Sequence, residues 1–530
     1  MKRVTHGIFS KLAIGALSII LQFLWMVLLV YAASLKFSIV NIILHIISVI
    51  LTLYLVSRDI KPYNKLSWIF IIMWMPIIGV TCYFLLGRSD LTRRNRRRFK
   101  AVIDKSEPYI TQNEAILEEL KQSDPVAAKQ SFYISKYAKF PLYHEKDTTY
   151  FPSGESVFES LVEDLKKAEK FIFLEFFIIE PGYMFDTVIE ILEEKAEQGV
   201  KVRLIYDDVG CINTLPTKYY KRLQEKGIRC AAFNPFRPFL SIVMNNRDHR
   251  KIVVIDGNIA YTGGFNLADE YINRVERFGY WKDAGLRLTG NSVWNFTIMF
   301  LHMWNYIVRG DENYEQYRMH SEEDEYEEYK NKVDEANWES EGIQKKRRKG
   351  FIQPYSDSPL DHENVGETIY LNMINHAQKY VYIFTPYLII DSEMATALIT
   401  AAKSGVDVRI VTPGVPDKKL VFLLTQSYYE QLIKGGVRIY QYKPGFIHSK
   451  CFVCDDEYAV VGSVNLDYRS LYLHFECGAW MYRCAAVKQV KEDALHTFEE
   501  SEEVSLQFCE ERNFVIRLVQ SVLMLFAPLL

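Results

Sequence analysis

RDHRKIVVIDGNIAYTGGFN, residues 247 to 266, returns as GFIHSKCFVCDDEYAVVGSVN, residues 445 to 465. His249 and His448, Lys251 and Lys450, Asp256 and Asp455, Gly263 and Gly462, and Asn266 and Asn465 are each 199 positions apart. Five matches at one offset exclude chance, so the fold must contain one unit twice. On extended backbone, residues two apart share a face, so His249 and Lys251 point the same way, as do His448 and Lys450. Two polar residues on one face beside the apolar IVVI and CFVC are costly unless that face meets a polar ligand. Asp256 and Asp455 have the opposite parity and stand at turns, where they anchor the turn or pair with a cation. Asn266 and Asn465 follow small residues that allow close backbone approach, and they offer amide donors to an anion.

The segments around the motifs repeat as well. AEKFIFLEFFI and AQKYVYIFTPY each read as a buried strand after a helix-like stretch, and a helix and second strand follow in EQGVKVRLIYDDVG and KSGVDVRIVTPG. Next come EKGIRCAAFNP and KGGVRIYQYKP, and then the motifs. This order predicts two α/β domains with parallel sheets and helical crossovers. Between them, residues 311 to 349 are rich in Glu, Asp and Tyr and end in a basic KKRRKG, which reads as a solvated helix or linker.

At 530 residues the chain exceeds one ordinary domain. Its net charge of -3 gives no basic excess that would make nucleic acid the main partner. The eight cysteines are scattered, as for reduced thiols rather than a disulfide framework. Cys451 and Cys454 form one CxxC with no second pair at zinc-ligand spacing, so no metal is expected there. Three apolar runs open the chain: Leu12 to Ala33, Phe37 to Val56 and Leu66 to Leu86. Each has roughly the 20 residues a membrane helix needs. Basic clusters precede the first run and follow the third, so three full crossings would separate two groups that both prefer the cytoplasm. Either the larger cluster, Arg93 to Lys100, prevails, or one run fails to cross. The third carries Pro76 and Gly79 at its middle, which predicts a kink or a re-entrant segment. At the other end, NFVIRLVQSVLMLFAPLL has Arg517, Gln520 and Ser521 on one helical face. Only about 15 residues precede Pro528, too few for an easy crossing. This predicts a helix in the membrane surface with Arg517 near headgroups, the alternative being packing against the second catalytic domain or the anchor.

Two His, two Lys and two Asn brought together suit a phosphodiester. The ammonium and amide groups offset charge on the phosphate oxygens and favour the transition state. One imidazole attacks phosphorus and forms a phosphohistidine; the other protonates the departing alcohol and then deprotonates the incoming one. No cofactor or metal is needed. A single site built from one motif of each half explains why the chain carries two.

HRKIVVID and HSKCFVCD match the HxKxxxxD signature of the phospholipase D superfamily, and the resemblance covers roughly residues 130 to 510. More closely, WIFIIMWMPIIGVTCYFLLG, VVGSVNLDYRSLYLHFE and the FAPLL ending resemble bacterial cardiolipin synthases. The extra run Phe37 to Val56 departs from that family's usual two-helix anchor. The resemblance implies two duplicated phospholipase D-like α/β domains forming one active site, behind an N-terminal α-helical membrane anchor. The expected boundaries are an anchor over 1–100, domains over 101–310 and 351–512, a charged linker over 311–350 and a surface helix over 513–530. It implies the joining of two phosphatidylglycerol molecules into cardiolipin with release of glycerol, on the cytoplasmic side of a bacterial membrane; hydrolysis of a phospholipid is the alternative. The expected catalytic set is His249, Lys251, Asp256, His448, Lys450 and Asp455, with Asn266 and Asn465 binding substrate. Superfamily precedent makes His249 the nucleophile and His448 the acid and base. It also places acidic residues against the second imidazole nitrogens, and Asp283 and Glu476 stand where they can serve, or else form ordinary ion pairs.

Overall fold

The computed structural model describes residues 20–527, apart from 22, 26, 30, 33–37, 59–60, 85–92, 237–244, 311, 319–349 and 362. Most of the first apolar run therefore lies outside the described residues. The second run forms helix α1 (Ser38–Ser57). The third is broken at Met75 into α2 (Pro62–Trp74) and α3 (Pro76–Cys82), because Pro76 lacks the N–H that would continue the helical ladder. Leu55, Trp68, Ile72, Val80 and Tyr83 knit these three helices into a small core of their own. Among the described residues no helix is long and apolar enough to cross a membrane, so three full crossings find no support. The basic stretch that follows is helix α4 (Arg93–Ser106).

Each half contributes one sheet. In the first, seven strands lie in the order Asp147–Phe151, Gly285–Thr289, Ile259–Gly263, Ile252–Ile255, Phe171–Phe176, Lys201–Asp207, Arg229–Phe233. The last three are parallel, as the helical crossovers predict. The motif strand Ile252–Ile255 instead pairs antiparallel with Phe171–Phe176, and a tight hairpin then adds Ile259–Gly263 on its other side. The second half repeats this: Tyr380–Phe384, Asp407–Pro413 and Arg438–Tyr442 are parallel, while Cys451–Cys454 joins antiparallel. The sheets are thus mixed, a correction to the all-parallel expectation. Helix α5 (Val293–Val308) lies between them, touching Phe351–Asp357 of the second sheet and Ile252–Ile255 of the first. It is buried around its whole circumference from Val293 to Asn305, which explains a helix apolar on every side. Within it, Asn295 Nδ2 donates to the carbonyls of Pro141 and Pro354 at 3.0 and 2.9 Å.

The halves interlace rather than meet through a simple linker. Tyr143–His144 forms the edge of the second sheet by pairing with Phe351–Asp357. At the start of the expected linker, Glu312 and Tyr317 fold back onto the buried Arg203 of the first half, at 2.9 and 2.6 Å; residues 319–349 lie outside the described part. The N-terminal helices are tied to the second half by Lys61, whose ammonium lies 2.5 Å from both Glu367 and Asp391.

Helix α6 (Lys419–Ser427) of the second half meets α7 (Phe514–Phe526) near the C-terminus. Of the polar residues of α7 only Gln520 turns inward, its Nε2 donating to Leu423 O at 2.9 Å, while Arg517 and Ser521 stay exposed. The exposed Arg517 donates to Glu510 O at 2.7 Å, at the end of the short helix Leu506–Glu510. Ser67 of α2 donates to Leu525 O at 2.7 Å, so α7 also touches the N-terminal helices. Its apolar face stays open, with Phe514 77% and Val515 65% exposed.

Asp256 and Asp455 show what the third signature residue does. Both have left-handed backbone, φ 53° and 56°. Asp256 accepts from the N–H groups of Glu169, Lys170 and Phe171 at 2.7–2.8 Å, and Asp455 from Gln378, Lys379 and Tyr380 at 2.7–3.0 Å. Their carboxylates are spent on backbone, which corrects their place in the expected catalytic set. Of the two roles left open, turn anchoring is the one realised. Asp455→Ala should leave three donors without their acceptor and lower stability by about 1–3 kcal/mol. A thermal or denaturant unfolding curve unchanged from the parent protein would contradict this.

Candidate active site

The two motifs arrive at one place through a reciprocal backbone exchange. His249 N–H donates to Phe475 O at 2.9 Å, and His448 N–H donates to Lys282 O at 2.7 Å. Phe475 and Lys282 are the residues just before Glu476 and Asp283. Each motif therefore lies alongside the acidic residue of the other half. His249 Nδ1 lies 2.9 Å from Glu476 Oε1. His448 Nδ1 lies 2.7 Å from Asp283 Oδ2. An ionised carboxylate only accepts, so each Nδ1 carries the proton and each Nε2 keeps its lone pair for chemistry. Burial opposes the charge on both acids, but the facing imidazoles outweigh it and hold both below their ordinary values.

Gly264 and Ser463, also 199 positions apart, fit the two acids differently. A Cβ on Gly264 would stand 2.2 Å from Asp283 Oδ1, so only glycine admits that carboxylate. Opposite it, Ser463 donates to Glu476 Oε2 and its Oγ accepts from Cys477 N at 3.0 Å.

Burial shapes the titration. It pushes His249 down to about 3 and His448 down to about 4, with Lys251 and Lys450 adding like-charge repulsion. Both imidazoles are thus neutral near pH 7, the state a nucleophile requires. Burial also lowers Lys251 to about 8 and Lys450 to about 7, against the pull of Asp283 and Glu476. Each ammonium donates to the carbonyl of its own motif histidine, Lys251 to His249 O at 2.5 Å and Lys450 to His448 O. That leaves two hydrogens on each for a ligand.

The asparagines differ from each other. Asn266 Oδ1 accepts from Ile178 N at 3.0 Å and its Nδ2 donates to the Tyr271 hydroxyl at 2.7 Å, so it also braces the site wall. Asn465 Oδ1 is buried with no hydrogen-bond partner among the described residues. Beneath the first motif, Arg247 pairs with Asp207 at 3.2 Å, and Arg250 with Glu175 at 2.5 Å and Asp248 at 3.1 Å. These fully buried pairs were not read from the sequence.

Two more residues escaped sequence reading. His474 stands two places before Glu476, and Trp281 two places before Asp283. The His474 ring lies 5.6 Å from His249, and the Trp281 ring 5.3 Å from His448. Their common position relative to the acids was the available signal, but it is visible only once the acids are assigned. Ligand atoms of His249, His474 and Glu476 all lie within 4.8 Å of one another, a group that can hold a metal ion, where none was expected.

A family described as "Cardiolipin synthase, PLD-like domain" matches residues 161–277 and 370–497, and one described as "Phospholipase_D-nuclease N-terminal" matches residues 43–88. A cardiolipin synthase of Geobacillus kaustophilus is 32% identical over 484 residues, covering 89% of each chain. An uncharacterised protein of Streptococcus mutans is 43% identical over 482 residues, 90% of this chain and 99% of its own. Among solved structures, phosphatidylserine synthase of Haemophilus influenzae shares the fold at TM-score 0.54 and 15% identity, covering 76% of this chain and 98% of its own. With two complete motifs, two reciprocal histidine–carboxylate pairs and relatives matching along most of its length, the chain belongs to the cardiolipin synthase family of phospholipase D-like enzymes.

Proposed function

We propose that this protein is a membrane-attached cardiolipin synthase that moves a phosphatidyl group from one phosphatidylglycerol to another and releases glycerol. The observation that carries the proposal is the reciprocal pairing, which orients two imidazoles by Nδ1 and leaves both Nε2 atoms for one phosphodiester. His249 Nε2 attacks phosphorus as the bond to the glycerol oxygen breaks. His448 gives that oxygen its proton; the anionic phosphate it faces raises its proton affinity above the value in the empty site. The second phosphatidylglycerol then binds, His448 takes the proton from its hydroxyl, and the freed oxygen displaces His249 from phosphorus. Lys251 and Lys450, with Asn465, offset the charge that builds on the other phosphate oxygens.

Membrane attachment rests on surface chemistry. Ile39, Leu53 and Trp74 are 71%, 65% and 68% exposed, and α7 adds Phe514 and Val515 to the apolar surface. Large exposed apolar side chains gathered on these helices mark a lipid contact. The N-terminal helices enter the bilayer, α7 rests on it, and the catalytic halves sit on the cytoplasmic side with the basic α4.

Three outcomes are expected. After a short reaction with phosphatidylglycerol carrying labelled phosphate, quenching and peptide mapping should place the label on His249; label on His448 would reverse the two roles. In detergent micelles, kcat/KM should fall as pH rises through about 7 to 8, because the lowered Lys450 and Lys251 lose their charge there. A profile flat up to pH 10 would remove the lysines from charge stabilisation. Chelation with EDTA should leave micellar turnover unchanged, and loss restored by one added divalent ion would bring the His249, His474 and Glu476 group into the reaction.

A further inference from the structure

Glu476 faces two imidazoles, and the proposed reaction uses one of them. Its Oε1 lies 2.9 Å from His249 Nδ1 and 3.7 Å from His474 Nδ1. One ligand atom from each of these three buried residues lies within 4.8 Å of the other two. Neither ring nitrogen of His474 has a hydrogen-bond partner among the described residues. A buried imidazole in that position is costly unless something else meets its lone pair. Its backbone is nonetheless firmly set. His474 N–H donates to Arg469 O at 2.9 Å, and the next residue, Phe475, exchanges hydrogen bonds with Arg247 and His249. Ser463 donates to Oε2 of the carboxylate, which keeps Oε1 turned toward both rings.

Two imidazoles and one carboxylate make the ligand set of an open zinc site, with a fourth position left for water. The 2.9 and 3.7 Å separations bracket the ~3.4 Å between neighbouring ligand atoms on a tetrahedral zinc. Magnesium and calcium prefer shells of oxygen, so this set favours a transition ion over either. In the other half, Trp281 stands two residues before Asp283 as His474 does before Glu476, and an indole offers a donor but no ligand atom. The neighbouring Lys251 acts on His249 and opposes a dication, which keeps the affinity below that of a structural zinc. We infer that His249, His474 and Glu476 form an inhibitory site for a divalent transition ion of the zinc type. The binding stands on geometry, while the inhibition rests on the role of His249 proposed above. An ion on His249 Nε2 takes the lone pair that attacks phosphorus. An ion on Nδ1 displaces the proton there; the neutral ring then carries that proton on Nε2, and again no lone pair faces phosphorus. The metal-free protein is the active form.

The test reads binding and turnover separately. The untagged, detergent-solubilised full chain is stripped with EDTA, freed of the chelator and titrated with Zn2+ alone against a chromophoric chelator. Turnover is followed in parallel in phosphatidylglycerol micelles. Turnover should fall in step with the binding of one Zn2+ per chain and return when EDTA is added, and Mg2+ should not compete. His474→Asn should weaken Zn2+ binding and raise the inhibitory concentration by about tenfold or more. No bound Zn2+, equal binding in His474→Asn, or equal competition by Mg2+ would each overturn the site while leaving the proposed reaction untouched. Zn2+ held through His474 with turnover intact would overturn the inhibition and count against His249 as the nucleophile. If His474→Asn fails to fold, X-ray absorption of the Zn2+-loaded unsubstituted chain decides. A nitrogen and oxygen shell with two imidazoles supports the site, and a shell containing cysteine sulfur overturns it.

Discussion

Everything in the active centre depends on two carboxylates reaching across to the imidazole of the other half. His249 and Glu476 are 227 residues apart, and His448 and Asp283 are 165 apart, yet both pairs close to hydrogen-bond distance. Neither half could orient its own histidine. A half alone would hold a buried imidazole facing no acceptor and a buried acid facing no donor, and each such loss is costly in a low-dielectric interior. The duplication is therefore obligatory in a physical sense, because each copy supplies what the other copy lacks.

The cross-pairing is delivered by backbone. The exchange between His249 and Phe475, and between His448 and Lys282, registers each motif one residue from the opposing acid. Gly445–Ile447 running parallel with Tyr280–Lys282 extends that register on one side. A Cβ on Gly445 would sit 2.3 Å from Tyr280 O, so the approach is closer than any side chain permits. The central helix α5, buried on all sides, then locks the two sheets at a fixed spacing. Rigid scaffolding of this kind lets four buried cationic or potentially cationic groups coexist with two buried acids, and it holds them poised for an anion.

The two halves are alike in outline and unlike in chemistry. Asp283 is admitted by a glycine, whereas the longer Glu476 is held by a serine hydroxyl. His448 is walled by Trp281 and Tyr271, and His249 by His474 and Phe177. The two imidazoles thus meet different surroundings within one pocket.

The amino-acid sequence alone determined the elements whose spacing is local. The duplicated motif, the shared face of His and Lys, the turn positions of Asp256 and Asp455 and the break at Pro76 all follow from periodicity and from the chemistry of single residues. Tertiary structure alone decided matters that join distant segments. It set the motif strands antiparallel, placed Arg247 and Arg250 on buried acids, brought His474 beside His249 and turned Gln520 of α7 inward against Leu423. It also made Asp283 and Glu476 partners of the opposite half rather than ordinary ion pairs. The reason is physical: a period of two or of 3.6 residues specifies which way a side chain leaves its own backbone, but only the packing of two sheets around α5 specifies what it meets there.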